Sequence, residues 1–139
     1  GVIGTRSARL AAESQGRIVV YALGAEGEAI EQPERKEVQV TRIEHDSSEA
    51  DIKAGRLLFN KYCAVCHGYG AVGGGVITDV RESSPRIYDF YEEIVLEGQR
   101  VERGMPDFSP VLDKEGLAKI RAFILFRRDL LADELAAGG

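Results

Sequence analysis

The chain has 139 residues, is 44% hydrophobic and 29% charged, and carries a formal net charge of −5. That length supports one domain with a modest core, and that composition is globular, not disordered. The acidic balance and the lack of a basic stripe argue against nucleic acid, and no apolar run approaches the roughly 18 residues of a membrane span.

In chain order, Arg6 to Gln15 is polar and Ala-rich with a helical look. Gly16 to Gly24 encloses Ile18-Val19-Val20-Tyr21-Ala22-Leu23 and reads as a buried strand between glycines. Gly24 to Pro33 is turn-rich. Val38, Val40 and Ile43 then alternate with polar residues, the pattern of a half-buried strand. Residues 1–47 are therefore predicted to be an N-terminal extension and linker with one or two strands. His45 reads as a linker histidine in contact with water. The chain starts at Gly1, without Met and without a visible signal peptide, so a mature protein or a fragment of a larger one is expected.

A helical domain over residues 48–139 follows. Ser48 is placed to cap a helix whose Ile52, Leu58, Phe59 and Tyr62 share one side, with Gly55 leaving room for another helix. Gly68 to Gly75 is a glycine-rich loop. It lacks the Lys-Ser/Thr of a phosphate loop, and its glycines would let backbone lie near a flat ligand. Phe90, Ile94 and Val95 suggest a helix capped near Asp89 and stopped by Gly98. The last helix starts after Asp113, with Leu117, Ile120, Phe123, Ile124 and Leu131 inward and Ala136 to Gly139 as a frayed tail. Gly55 with Phe59 or Tyr62 is expected to meet Ile120, Phe123 or Ile124 where the first and last helices cross.

The chemistry is concentrated in Cys63-Ala64-Val65-Cys66-His67, which holds both cysteines and one of the two histidines. Cys-x-x-Cys-His is the signature of c-type haem attachment: two thiols add to the haem vinyl groups, and the adjoining imidazole ligates the iron. A structural zinc site would need about four N or S ligands, and the chain adds only the distant His45. Met105, the one methionine, lies in Gly104-Met105-Pro106-Asp107-Phe108. A thioether is a soft ligand for haem iron, and Pro106 restricts Met105 to extended conformations that aim the sulfur. Met105 could instead simply fill a gap under the loop.

Residues from about 49 to 135 resemble a class I cytochrome c domain, and within that group the C-terminal cytochrome domain of quinohaemoprotein alcohol dehydrogenases. The resemblance is carried by Gly55-Arg56-Leu57-Leu58-Phe59, Tyr62 to Gly68, Gly73-Gly74-Gly75-Val76-Ile77-Thr78-Asp79-Val80-Arg81, Ile94 to Gly98 and Gly104 to Phe108. It implies an all-α fold around one covalent haem c on Cys63 and Cys66, with His67 and Met105 as axial ligands. It implies Arg81 near a haem propionate. The family has Pro where this chain has Thr78, so Thr78 keeps a carbonyl for the ligand imidazole but loses rigidity. Gly16 to Ala25 resembles the closing strand of the dehydrogenase propeller.

The expected role is a periplasmic electron carrier with no catalytic residues of its own. Its donor would be a dehydrogenase whose pyrroloquinoline quinone (PQQ) sits upstream or in a separate protein, and a further redox carrier would accept the electrons. A free-standing cytochrome serving another oxidoreductase, a haem enzyme or sensor with a labile sixth ligand, and a zinc module are the alternatives.

Overall fold

Helix α1 (Glu49–Tyr62) begins where its sequence says it should. The Ser48 hydroxyl accepts a hydrogen bond from the Asp51 backbone N–H at 3.1 Å, and acidic Glu49 and Asp51 sit at the positive end of the helix. Ser48→Ala should cost about 1 kcal/mol in urea unfolding, the usual worth of such a cap. The computed structural model describes residues 23–24, 38–73 and 77–137. Among them the chain is helical, with no strand. After α1 come a single turn, α2 (Ala64–His67), a short helix α3 (Tyr91–Leu96) and a long helix α4 (Lys114–Ala137), joined by 3-10 turns at Tyr69–Ala71, Val80–Glu82, Pro85–Phe90 and Val101–Arg103.

The core lies where α1 crosses α4. Phe59 and Phe123 meet with ring centroids 5.5 Å apart at 55°, a tilted geometry that suits the ring quadrupoles. Gly55 makes the crossing possible: a β-carbon there would stand 1.8 Å from the Lys119 carbonyl oxygen and 3.0 Å from the Phe123 Cβ. Of the expected contacts between the two helices, those of Gly55 and Phe59 with Phe123 are present. Leu117, Ile120, Phe123, Ile124 and Leu131 are all buried, as the helical spacing requires. Helix α4 starts on Asp113, whose Oδ1 accepts from the Gly116 N–H at 2.7 Å, and it continues through Ala136 and Ala137, which the sequence had suggested would fray.

The strand expected at Gly16–Gly24 lies outside the described residues except for Leu23 and Gly24, which form an exposed turn. Three other expectations need correction. Residues 38–48 do alternate in exposure, with Val38, Val40 and Ile43 on the covered side, but they form no ladder. Their partner is a helix: the Thr41 carbonyl accepts from Arg128 Nε at 2.7 Å, and Arg42 pairs with Asp133. His45 belongs to this strap and is not a water-facing linker residue. Its ring nitrogens engage Ser47 Oγ at 2.9 Å and Asp129 Oδ2 at 3.1 Å, and its side chain is only 15% exposed. Third, α3 has no side-chain cap at Asp89, because the 3-10 turn Pro85–Phe90 leads straight into it; Phe90 is exposed while Ile94 and Val95 are buried. Gly98, at φ +67°, does end that segment.

Candidate functional site

Cys63 ends α1 and starts α2, so the Cys-x-x-Cys-His box occupies one added helical turn. The His67 N–H bonds to the Cys63 carbonyl at 2.9 Å, and the Gly68 N–H to that of Ala64 at 2.9 Å. Ala64 is buried and anchors the turn, while Val65 points to solvent at 91% exposure. Cys63 and His67 are four residues apart and so share a side of the turn, and Cys66 is three from Cys63. The two cysteines are not joined to each other, Cys63 being half-buried and Cys66 exposed. Burial, assisted by the neighbouring Cys66, pushes the Cys63 thiol up to about 11, so it is held protonated in the chain alone.

His67 Nδ1 lies 3.3 Å from the Thr78 carbonyl oxygen, which accepts its N–H. That bond assigns the tautomer and leaves the Nε2 lone pair for a metal. Thr78 is therefore brought to His67 by its backbone. The next residue, Asp79, organises the loop: its carboxylate accepts from the Gly73 N–H at 3.2 Å, the Arg81 N–H at 3.0 Å and the Arg81 guanidinium at 2.9 and 2.6 Å. Arg81 is 1% exposed, far from a surface arginine, and two of its guanidinium nitrogens are taken by Asp79.

The glycines of this loop serve the loop itself. A β-carbon at Gly68 (φ +76°) would strike the Val72 carbonyl at 1.9 Å, and one at Gly73 the Asp79 backbone at 2.8 Å. Close backbone approach is thus what they permit, here to the protein's own backbone; residues 74–76 lie outside the described residues.

Met105 follows the turn Val101–Arg103 and Gly104, which adopts φ +85°. Its N–H bonds to the Arg100 carbonyl at 3.2 Å, and the Phe108 N–H ties the loop to Val95 of α3 at 3.0 Å. Met105 is partly buried on the same apolar cluster that receives Cys63, Tyr62 and Val80. The donors thus comprise two cysteine thiols on one turn, an imidazole with one nitrogen engaged, and a thioether on the same core. That set fits a covalently held haem. Among the described residues no three His, Cys, Asp or Glu side chains gather into a group that could hold a metal ion by themselves.

Two residues were not singled out from sequence. Tyr91 of α3 lies close enough to Cys63 for its charge to count, and burial pushes the Tyr91 phenol well above its ordinary value. Arg128 is 2% exposed and spends its donors on carbonyls, reaching Arg81 at 2.9 Å and Ser83 at 2.6 Å in addition to Thr41.

A family model described as "Cytochrome C oxidase, cbb3-type, subunit III" matches residues 50–124, over half of the chain. The chain belongs to this cytochrome c family. Its relatives include the quinohemoprotein alcohol dehydrogenase ADH IIB of Pseudomonas putida, 31% identical over 90% of this chain and 19% of that protein. The 1-butanol dehydrogenase (cytochrome c) of Thauera butanivorans is 31% identical over 93% of this chain and 19% of that one. Cytochrome c550 of Pseudomonas aeruginosa is 32% identical over 52% of this chain and 53% of its own length. In three dimensions the chain matches the quinohemoprotein alcohol dehydrogenase ADHIIG of Pseudomonas putida with a TM-score of 0.64 and 30% identity, over 77% of this chain and 16% of that one. The domain is thus the counterpart of the cytochrome c domain of these dehydrogenases. It spans about a fifth of the length of the dehydrogenases it matches.

Proposed function

We propose that this cytochrome c domain is an electron carrier holding one covalent haem c, with Cys63 and Cys66 as its attachment thiols and His67 and Met105 as its iron ligands. A haem held in this way supplies one-electron chemistry and no open position for substrate. The protein's part is to hold and tune it. The Thr78 carbonyl fixes the His67 tautomer and ring orientation and raises the imidazole's basicity. Pro106 and the tied-down 98–108 loop limit the freedom of the Met105 sulfur. Arg81 retains one terminal nitrogen beyond its pair with Asp79 to offer a haem carboxylate. The observation that carries this reading is the His67–Thr78 hydrogen bond, which prepares Nε2 as a ligand inside a Cys-x-x-Cys-His turn.

The relatives support a PQQ-dependent alcohol dehydrogenase as donor, in an upstream part of the same polypeptide or a separate protein. On this reading residues 1–47 are the link between the two and 48–139 the electron-carrying domain. A second redox carrier takes the electrons onward, and c-type attachment puts the protein in the periplasm. No helix among the described residues is long and apolar enough to cross a membrane. The test is maturation in a host that attaches haem, followed by unfolding in acid and intact mass measurement. The expected product keeps the mass of one haem, titrates with one electron, and is reduced by a PQQ alcohol dehydrogenase plus alcohol. A chain that loses all haem on unfolding contradicts the attachment. One that keeps haem but is never reduced by such a dehydrogenase contradicts the donor.

A further inference from the structure

The His67–Thr78 hydrogen bond depends on the direction of one peptide group, and Thr78 itself does little to set it. Ile77 and Thr78 are both exposed, and the bond lies at the surface. Water competes for an exposed donor, so a carbonyl 3.3 Å away keeps the ring proton only if it is held in place. That carbonyl shares a planar peptide with the nitrogen of Asp79, and the two ends of a planar unit move together.

Asp79 is held from several directions. Its carboxylate, 10% exposed, accepts across the loop from the Gly73 N–H at 3.2 Å. Along the chain it accepts from the Arg81 N–H at 3.0 Å and from the Arg81 guanidinium at 2.9 and 2.6 Å. Its carbonyl accepts from the Glu82 N–H at 3.0 Å. Gly73 also braces the peptide by contact: a β-carbon there would stand 2.8 Å from both the Asp79 nitrogen and its Cα.

We propose that Asp79 is a positioning residue for the iron ligand: seated on Gly73, it fixes the 78–79 peptide so that the Thr78 carbonyl keeps the His67 ring proton. The proposal rests on the haem reading above. A carbonyl held on Nδ1–H makes Nε2 a stronger donor, which favours ferric iron and lowers the reduction potential. Without Asp79 the carbonyl loses its anchor and the ring proton passes to water.

Charge must be separated from positioning. The Asp79 carboxylate faces Arg81, and its charge also reaches Arg127. Removing it would raise the potential through those cations even if the peptide stayed where it is. Gly73→Ala is the charge-free counterpart, because its methyl group must displace the same peptide.

The experiment follows the His67 Nδ1 proton by NMR in the haem-loaded ferrous protein, with the midpoint potential measured alongside. In the parent this proton should exchange slowly with solvent. Asp79→Ala and Gly73→Ala should each speed the exchange about tenfold or more, the scale of one lost hydrogen bond, and raise the potential. Asp79→Asn keeps an acceptor oxygen for the Gly73 and Arg81 N–H groups, so it should hold the proton better than Asp79→Ala does. A proton that stays slow in Asp79→Ala and Gly73→Ala, or in whichever of the two folds, overturns the proposal even where the potential moves. So does exchange as fast in Asp79→Asn as in Asp79→Ala, because charge alone would then act, and so does fast exchange in the parent. A parent protein that retains no haem would instead overturn the function on which this rests.

Discussion

Met105→Ala in the haem-loaded protein is expected to lower the midpoint potential by on the order of a tenth of a volt or more, within the roughly 0.8 V that axial ligands control. The thioether favours ferrous iron because it is a soft donor, and its removal leaves water or nothing in its place. The same variant should bind carbon monoxide when reduced, which the parent should not. The fold should survive, because Met105 lies at the edge of the core on a loop held independently by the Phe108–Val95 hydrogen bond and by Gly98 and Gly104. A potential and carbon monoxide response identical to the parent's would remove Met105 from the iron.

Gly55→Ala should destabilise the protein by about 3 kcal/mol or more in urea unfolding, at the upper end of overpacking costs. Helix propensity alone gives the opposite sign, a gain of up to about 1 kcal/mol for replacing an interior glycine by Ala. Packing decides, because the new methyl group would meet the Lys119 backbone carbonyl at 1.8 Å and no side-chain rotation can relieve a backbone contact. The two helices would have to separate, and with them Phe59 and Phe123. Against a total stability of about 5–15 kcal/mol, such a loss is large. A neutral or stabilising Gly55→Ala would mean that the close crossing of α1 and α4 does not form.

The helical domain was legible because its signals are local. Ser48 caps, Gly55 and Phe59 share a face, and Leu117 to Leu131 keep helical spacing. The haem box is legible for the same reason, being five consecutive residues. What the sequence hid depends on partners far along the chain. Val38, Val40 and Ile43 announce a one-sided strip, but alternation cannot say whether the segment pairs with a strand or a helix; here Thr41, Arg42 and His45 tie it to α4. His45 finds Asp129, 84 residues away. Arg128 lies four residues after Ile124 and three before Leu131, squarely in the buried stripe, yet a charged residue is ordinarily assigned to solvent. Its three carbonyl partners come from two separate segments, Thr41 in one and Arg81 with Ser83 in the other, that only the fold assembles. The position of Arg128 in that stripe was the available signal for this polar cluster.

The central claim is that His67 and Met105 close the iron on both sides, which makes the domain a carrier of electrons and leaves substrate chemistry to its donor. The visible and far-red absorption spectrum of the oxidised, haem-loaded protein tests this most directly. A low-spin ferric spectrum with a far-red band from sulfur-to-iron charge transfer, lost in Met105→Ala, is the result expected. A high-spin ferric spectrum in the parent protein would contradict the closed site.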